Sequence, residues 1–252
     1  MANTLFKKSY QCKTLKEIPF NYLWNKKGIF TTIRVLGRPR KLLFIKEHII
    51  NLNRSLKIFK INNKINKKFL NNIINQLFTK NIYYDHLFRI AVTDKKISFS
   101  LRKRLPVRKR FKGILISYER PNWKLKHLKY KKILSLLEKI NIRSEEIILT
   151  NKNLVLEGGT TNILCVANNA VYIPKSGYYP GVTLRFLLKN SPRKVFKKNI
   201  TKTQLQECDE ILLVGSGKGI VAVDNIPQIH WHKKSNIVFN EFYRIYKSYI
   251  SK

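Results

Sequence analysis

A chain of 252 residues with 44% apolar side chains can bury one large or two modest domains, which excludes a disordered basic tail. Its 51 Lys and Arg against 14 Asp and Glu give a formal charge of +37. The basic residues nevertheless run from Lys7 to Lys252 with no Arg-rich stripe and no interleaved aromatic platform, so no specific nucleic-acid partner is expected. Lys, Ile and Asn make up about a third of the chain, far above ordinary usage, which points to A/T-rich codon bias and a largely solvated charge. No apolar run reaches the roughly 20 residues that cross a bilayer, and the N-terminal sequence lacks the apolar stretch of a secretory signal. Cys12, Cys165 and Cys208 form neither a disulfide framework nor a metal spacing. The expectation is a cytoplasmic protein with reduced thiols, no membrane segment and no metal.

The first hundred residues read as a small α/β unit. Ile29 to Leu36 is β-branched and predicts a strand, Gly37-Arg38-Pro39 a turn, and Leu42 to Ile45 the return strand. Helical spacing of Ile49, Leu52, Leu56 and Phe59 predicts a helix over Lys46 to Phe59. A second helix is expected over Lys67 to Thr79, then strands at Leu87 to Val92 and Ile97 to Leu101. Arg102 to Arg110 (RKRLPVRKR) reads as an exposed charged connector. The division expected is residues 1–107 and 108–252.

The second half opens with a strand at Gly113 to Tyr118 and a Pro-containing loop, Glu119 to Lys124. Lys126 falls where that loop meets a predicted helix, Tyr130 to Ile140, whose Ile133, Leu136, Leu137 and Ile140 make one buried face. Strands follow at Glu146 to Leu149, Leu154 to Leu156, Asn162 to Val166 and Ala170 to Ile173. Thr183 to Lys189 is helical, Leu205 to Glu207 a short helix, Glu210 to Val214 and Ile220 to Val223 strands, and Phe239 to Tyr249 the last helix. Hairpins mixed with helices indicate an α+β class.

Residues Glu157 to Thr183 (EGGTTNILCVANNAVYIPKSGYYPGVT) carry the chemistry. Glu157 ends an apolar strand before Gly158-Gly159, where a flat ring can approach the backbone, although spacing alone favours an ordinary Glu at a strand end. Pro180-Gly181 turns into a helix whose first N–H groups, with the Thr183 hydroxyl, form an anion site. Gly215-Ser216-Gly217 offers a second such loop. An amine, an acid and an anion cup together are what pyridoxal phosphate chemistry asks of a protein. His48 reads as a helix residue, His127 as pointing away from Lys126, and His230 and His232 as lacking further metal ligands.

These segments resemble the class IV aminotransferases, the fold-type IV pyridoxal phosphate enzymes. The matching stretches are LKHLKY around Lys126, LEGGTTNIL around Glu157 and Asn162, YPGVTLRFLL around Val182 and Thr183, and ECDEILLVGSGKGIVAV around Ser216. GIFTTIRV and EHIINLNRSL resemble, more loosely, an N-terminal strand and helix of that family. The resemblance implies a small N-terminal α/β domain, a larger β-barrel-like C-terminal domain with helices, pyridoxal 5'-phosphate at their interface, and a homodimer. Residue by residue, it makes Lys126 the Schiff-base lysine, with Lys124 and Lys129 as near competitors. Glu157 would pair with the pyridine nitrogen; Val182, Thr183 and Ser216 would hold the phosphate, with Asn162 among the cofactor-binding residues. Gly217, Thr32 and Arg89 would lie on the substrate side.

Two positions depart from the pattern. Asn51 stands where a phosphate-clamping Arg is expected, an exchange that removes roughly 1.5–3 kcal/mol of charge-assisted contact. Asn25-Lys26-Lys27-Gly28 replaces a Tyr-Gly-Asp-Gly run. The resemblance implies transfer of an amino group from an amino acid, with the branched-chain type favoured, to a 2-oxo acid. Thr31-Thr32 resembles the alternative, 4-amino-4-deoxychorismate lyase; the remote alternative, from charge alone, is a basic nucleic-acid-binding protein.

Overall fold

The structure is a computed structural model that describes residues 4–78 and 82–251. The described chain divides into two compact units. One comprises residues up to Leu105 together with Leu125–Lys131; the other comprises Pro106–Lys124 and the residues from Lys132 onward.

In the first unit, β1 (Thr4–Gln11), β2 (Glu17–Ile18), β3 (Gly28–Gly37), β4 (Lys41–Leu42), β5 (Tyr84–Thr93) and β6 (Lys96–Lys103) form an antiparallel sheet. Its strand order is β2-β1-β6-β5-β3-β4. Successive residues of a strand face opposite sides. On β3, Ile29, Ile33 and Val35 therefore join the core with Phe88, Ile90 and Val92 of β5, beneath α1 (Ile45–Ile58) and α2 (Lys67–Leu77). Thr31 shares that side and hydrogen-bonds His48 Nδ1 of α1 at 2.7 Å. Phe30, Thr32, Arg34 and Arg89 fall on the other side, with Thr32 directly opposite Arg89.

β4 covers β3 only at Val35 and Leu36. Leu125–Tyr130 occupies the edge further along: Phe30 N–H donates to the Lys126 carbonyl at 2.9 Å and Leu128 N–H to the Gly28 carbonyl at 2.8 Å. His127 bridges to Ile29, so it shares the core side and stacks on Phe59 at 6.4 Å. Lys126 is thereby turned to the opposite side, as the sequence suggests for its neighbour.

The second unit holds two curled five-stranded sheets. Its strands are β7 (Lys112–Ser117), β8 (Glu145–Asn151), β9 (Leu154–Gly158), β10 (Asn162–Ala167), β11 (Ala170–Pro174), β12 (Val195–Lys198), β13 (Glu210–Gly215), β14 (Gly219–Ala222), β15 (Asn225–Ile226) and β16 (Trp231–His232). One sheet runs β12-β11-β10-β13-β14 and the other β16-β15-β7-β8-β9. The helices are α3 (Lys131–Leu137), α4 (Val182–Asn190), α5 (Lys202–Glu207) and α6 (Ile237–Ser251). Ile148, Ile163, Cys165, Cys208, Leu213 and Trp231 belong to its core. Buried Glu210 accepts the Val238 and Phe239 N–H groups at 2.9 and 2.7 Å, satisfying the start of α6. The class is α+β.

Several local expectations need correction. The return strand expected to reach Ile45 stops at Leu42, because Phe44 turns left-handed and Ile45 already opens α1. The helix expected over Tyr130 to Ile140 is only Lys131–Leu137, and of its expected buried face Ile133 alone is buried. Lys126 precedes no helix directly; it belongs to the extended edge described above. The connector at Arg102 to Arg110 is partly structured. β6 includes Arg102 and Lys103, and Arg104 grips Asp85 through two nitrogens at 2.8 Å. The end expected for the second helix, Thr79, lies outside the described residues.

Candidate active site

In the first unit the side of the sheet away from the helices gathers three of the candidate residues. Lys126 Nζ lies 5.2 Å from the centre of the Phe30 ring, and the Arg89 guanidinium lies 5.1 Å from the same ring. Arg89 also stacks over Trp24 at 3.8 Å, and Trp24 and Phe30 both pack on Tyr130. Thr32 faces Arg89 across the β3–β5 pair. One Arg89 nitrogen donates to the Tyr22 carbonyl at 3.0 Å, whereas Nε and Nη2 are buried without a hydrogen-bond partner. Burial pulls this guanidinium down to about 9. A partly buried cation with two unused donors is chemically suited to an anion.

Asn51 is buried on α1, and its Nδ2 has no partner. Arg54, one turn on, is exposed and does not replace it on that face.

The second unit gathers the others. Glu157, at the end of β9, is 5% exposed and paired with Arg120, which is 4% exposed. Arg120 Nε and Nη2 lie 2.8 and 2.7 Å from Oε1, and Nη2 also donates to the Trp123 carbonyl at 3.0 Å. Tyr179 N–H donates to Glu157 Oε2 at 2.9 Å. Asn162 then fixes the next residues: its Nδ2 donates to the Tyr179 carbonyl at 2.6 Å and its Oδ1 accepts Gly181 N–H at 3.1 Å. A Cβ on Gly181 would fall 2.6 Å from that Oδ1, so only glycine lets the amide close the loop. Gly181 caps α4 without any side-chain bond, leaving the first-turn N–H groups of buried Val182 and Thr183 uncapped by a side chain. Ser216 and Gly217 sit in the β13–β14 turn, and β13 pairs with β10 at Asn162↔Val214. Glu157, Asn162, Val182, Thr183, Ser216 and Gly217 thus share one end of this unit.

Sequence reading missed Arg120, Trp24 and Tyr130. Nothing local marks Arg120; the available signal is that a buried carboxylate requires a counter-charge. Among the described residues no cluster of three or more His, Cys, Asp or Glu is placed to hold a metal ion. No described helix is long and apolar enough to cross a membrane.

Comparison with solved structures recovers this fold repeatedly. The branched-chain aminotransferase of Thermoproteus uzoniensis with norvaline aligns at a TM-score of 0.80 and 16% identity, over 98% of this chain and 95% of that one. A Legionella pneumophila protein provisionally described as a 4-amino-4-deoxychorismate lyase gives 0.75 and 20%, over 88% and 91%. A hypothetical aminotransferase from Mycobacterium tuberculosis, in its PLP-bound form, gives 0.74 and 12%, over 97% and 99%. The sequence matches none of the curated proteins with which it was compared. At these identities the structures establish the fold. The family model for amino-transferase class IV matches residues 28–226. The chain belongs to the class IV aminotransferases and is an enzyme of that family, whose cofactor is pyridoxal phosphate.

Proposed function

We propose that this enzyme moves an amino group between an amino acid and a 2-oxo acid with pyridoxal 5'-phosphate held by Lys126 and Glu157. The observation that carries the reading is Glu157: a buried carboxylate fixed by Arg120, whose neighbour Tyr179 leads within two residues to the α4 start. The residues fit the cofactor. An acid suits a ring nitrogen, helix N–H groups without a side-chain cap and a Thr hydroxyl suit a phosphate, and Gly181 lets the Asn162 amide close the loop that leads into them.

When bound, the cofactor supplies an electron-accepting ring that weakens the substrate Cα–H bond. Lys126 would hold the cofactor through its side-chain amine, and the same Nζ would serve as the proton carrier. Glu157, held by Arg120 and the Tyr179 N–H, would supply the acid beside the cofactor ring. Val182 and Thr183 N–H groups and the Ser216 hydroxyl would hold the phosphate, while Asn162 fixes the loop leading into α4. Gly217 receives the substrate α-carboxylate. Trp24, Phe30 and Tyr130 offer apolar surface for a branched side chain and exclude water near Lys126. Arg89 pairs with the second carboxylate of a dicarboxylic partner, and Thr32 lines the same side.

The test is spectroscopic and chemical. The purified chain should be yellow, borohydride should fix the cofactor to Lys126, and a branched-chain amino acid with 2-oxoglutarate should exchange its amino group. A colourless chain that takes up no pyridoxal phosphate would overturn the reading. A homodimer belongs to the same proposal and is checked by light scattering.

A second reading, 4-amino-4-deoxychorismate lyase, rests on Thr32, whose neighbour Thr31 is committed to His48 while Thr32 lies on the Lys126 side of the sheet. Pyruvate release from 4-amino-4-deoxychorismate without any 2-oxo acid would reject the transaminase in favour of the lyase.

A further inference from the structure

Glu146 has no part in the scheme above, yet it is completely buried in a chain poor in acids. It stands on β8 two residues before the core residue Ile148 and so shares its side of the strand. A buried carboxylate is costly unless it is paired and hydrogen-bonded, and here only Oε2 is satisfied, Oε1 having no hydrogen-bond partner. Its Oε2 accepts the Thr160 hydroxyl at 2.5 Å and the Thr161 hydroxyl at 3.4 Å, and lies 3.4 Å from Lys218 Nζ. Lys218 is itself largely buried, donates to the Ile142 carbonyl at 3.2 Å and lies 5.3 Å over the Phe111 ring.

These partners come from two separate loops. Thr160 and Thr161 belong to the turn between Glu157 and Asn162, which Gly159 N–H ties to the Ile147 carbonyl at 2.9 Å. Lys218 belongs to the β13–β14 turn that carries Ser216 and Gly217. The two loops approach closely: a Cβ on Gly215 would lie 3.2 Å from the Thr160 carbonyl oxygen. A single fixed negative charge therefore faces a hydroxyl of one loop and the ammonium of the other.

We propose that Glu146 is a positioning residue that, through Thr160 and Lys218, locks the Glu157–Asn162 loop and the Gly215–Gly219 turn into one rigid unit. The proposal rests on the reading of Ser216 and Gly217 as phosphate and substrate contacts. Group placement to a fraction of an ångström depends on such supporting shells. The clamp would keep the phosphate contact of Ser216 in register with the carboxylate of Glu157.

A purely structural ion pair and a positioning clamp differ in what survives its replacement by apolar residues. Glu146→Leu alone strands a buried ammonium and should lower Tm by about 5–15 °C. The double variant Glu146→Leu/Lys218→Met removes both charges and should regain Tm to within about 3 °C of the wild type. In that double variant, amide exchange measured on the full chain without cofactor should accelerate at least about tenfold in residues 158–161 and 215–219 together. Its pyridoxal phosphate dissociation constant should rise about tenfold. Glu146→Gln/Lys218→Met keeps an acceptor for Thr160 and should restore protection to residues 158–161. A double variant that regains Tm with both segments within about twofold of wild-type exchange, or with only one segment accelerated, would overturn the clamp. A wild-type chain that bound no pyridoxal phosphate would end the proposed function instead, and the exchange pattern would still decide the clamp.

Discussion

Replacing Arg120 by Met is the sharpest perturbation of the candidate site. The guanidinium and Glu157 are 4% and 5% exposed, and two nitrogens approach Oε1 at 2.8 and 2.7 Å. Removing one partner of such a pair leaves a buried charge uncompensated, at a cost of about 3–5 kcal/mol. For a chain of this size each kcal/mol moves Tm by roughly 2–4 °C, so Arg120→Met should melt about 6–20 °C lower. Arg120→Lys keeps the charge but not the planar fork, and should fall between. Arg120→Met combined with Glu157→Leu removes both charges and should recover most of the loss, giving a strongly negative interaction energy in the cycle. Scanning calorimetry on the wild type, these three variants and Glu157→Leu alone measures this directly. If Arg120→Met melts within about 2 °C of the wild type, the pair is not the buried counter-charge argued here.

Lys126→Ala should abolish borohydride-fixed attachment of pyridoxal phosphate while Lys124→Ala retains it, read by mass spectrometry of the peptide; the reverse pattern would move the assignment. Arg89→Met should raise KM for a dicarboxylic 2-oxo acid about 10–100-fold over that for a monocarboxylic one, matching a lost charge-assisted contact. Burial holds the Arg89 guanidinium below its usual range, at about 9, so the folded chain binds fewer protons there than the unfolded one. Its contribution to stability therefore rises with pH from about 9 upward. Affinity for the dicarboxylic partner should fall over the same range, as a pH series of KM would record. Asn51→Leu removes a buried amide with an unpaired Nδ2 at similar volume, so the cofactor-free chain should gain about 1 kcal/mol, or roughly 2–4 °C. Weaker pyridoxal phosphate binding by the same variant would show that the amide serves the cofactor.

How much of this was legible depends on which physical signal each residue leaves in the sequence. The β3 strand, α1, α4 and the Glu157–Asn162 loop were legible because β-branched runs, helical spacing and Gly-Gly or Pro-Gly turns act locally. β1 was not, since TLFKKSYQ places two Lys in a strand that borrows its order from seven cross-strand partners on β6. The short parallel β12 and the β15–β16 hairpin are likewise specified by pairing rather than by their own residues. The site divides in the same way. Lys126, Glu157 and Thr183 are visible through motif spacing, but Arg120, Glu146 and Lys218 are defined only by burial beside a distant partner. The 51 Lys and Arg deepen the difficulty, since the few candidate cations stand among dozens of others. The acids escape that camouflage. With only 14 in the chain, the buried Glu146, Glu157 and Glu210 each meet specific donors, two of them cations and one the start of α6, although Glu146 Oε1 has no hydrogen-bond partner. In a sequence this basic, the scarce carboxylates are therefore the more reliable guide to where structure has been built for chemistry.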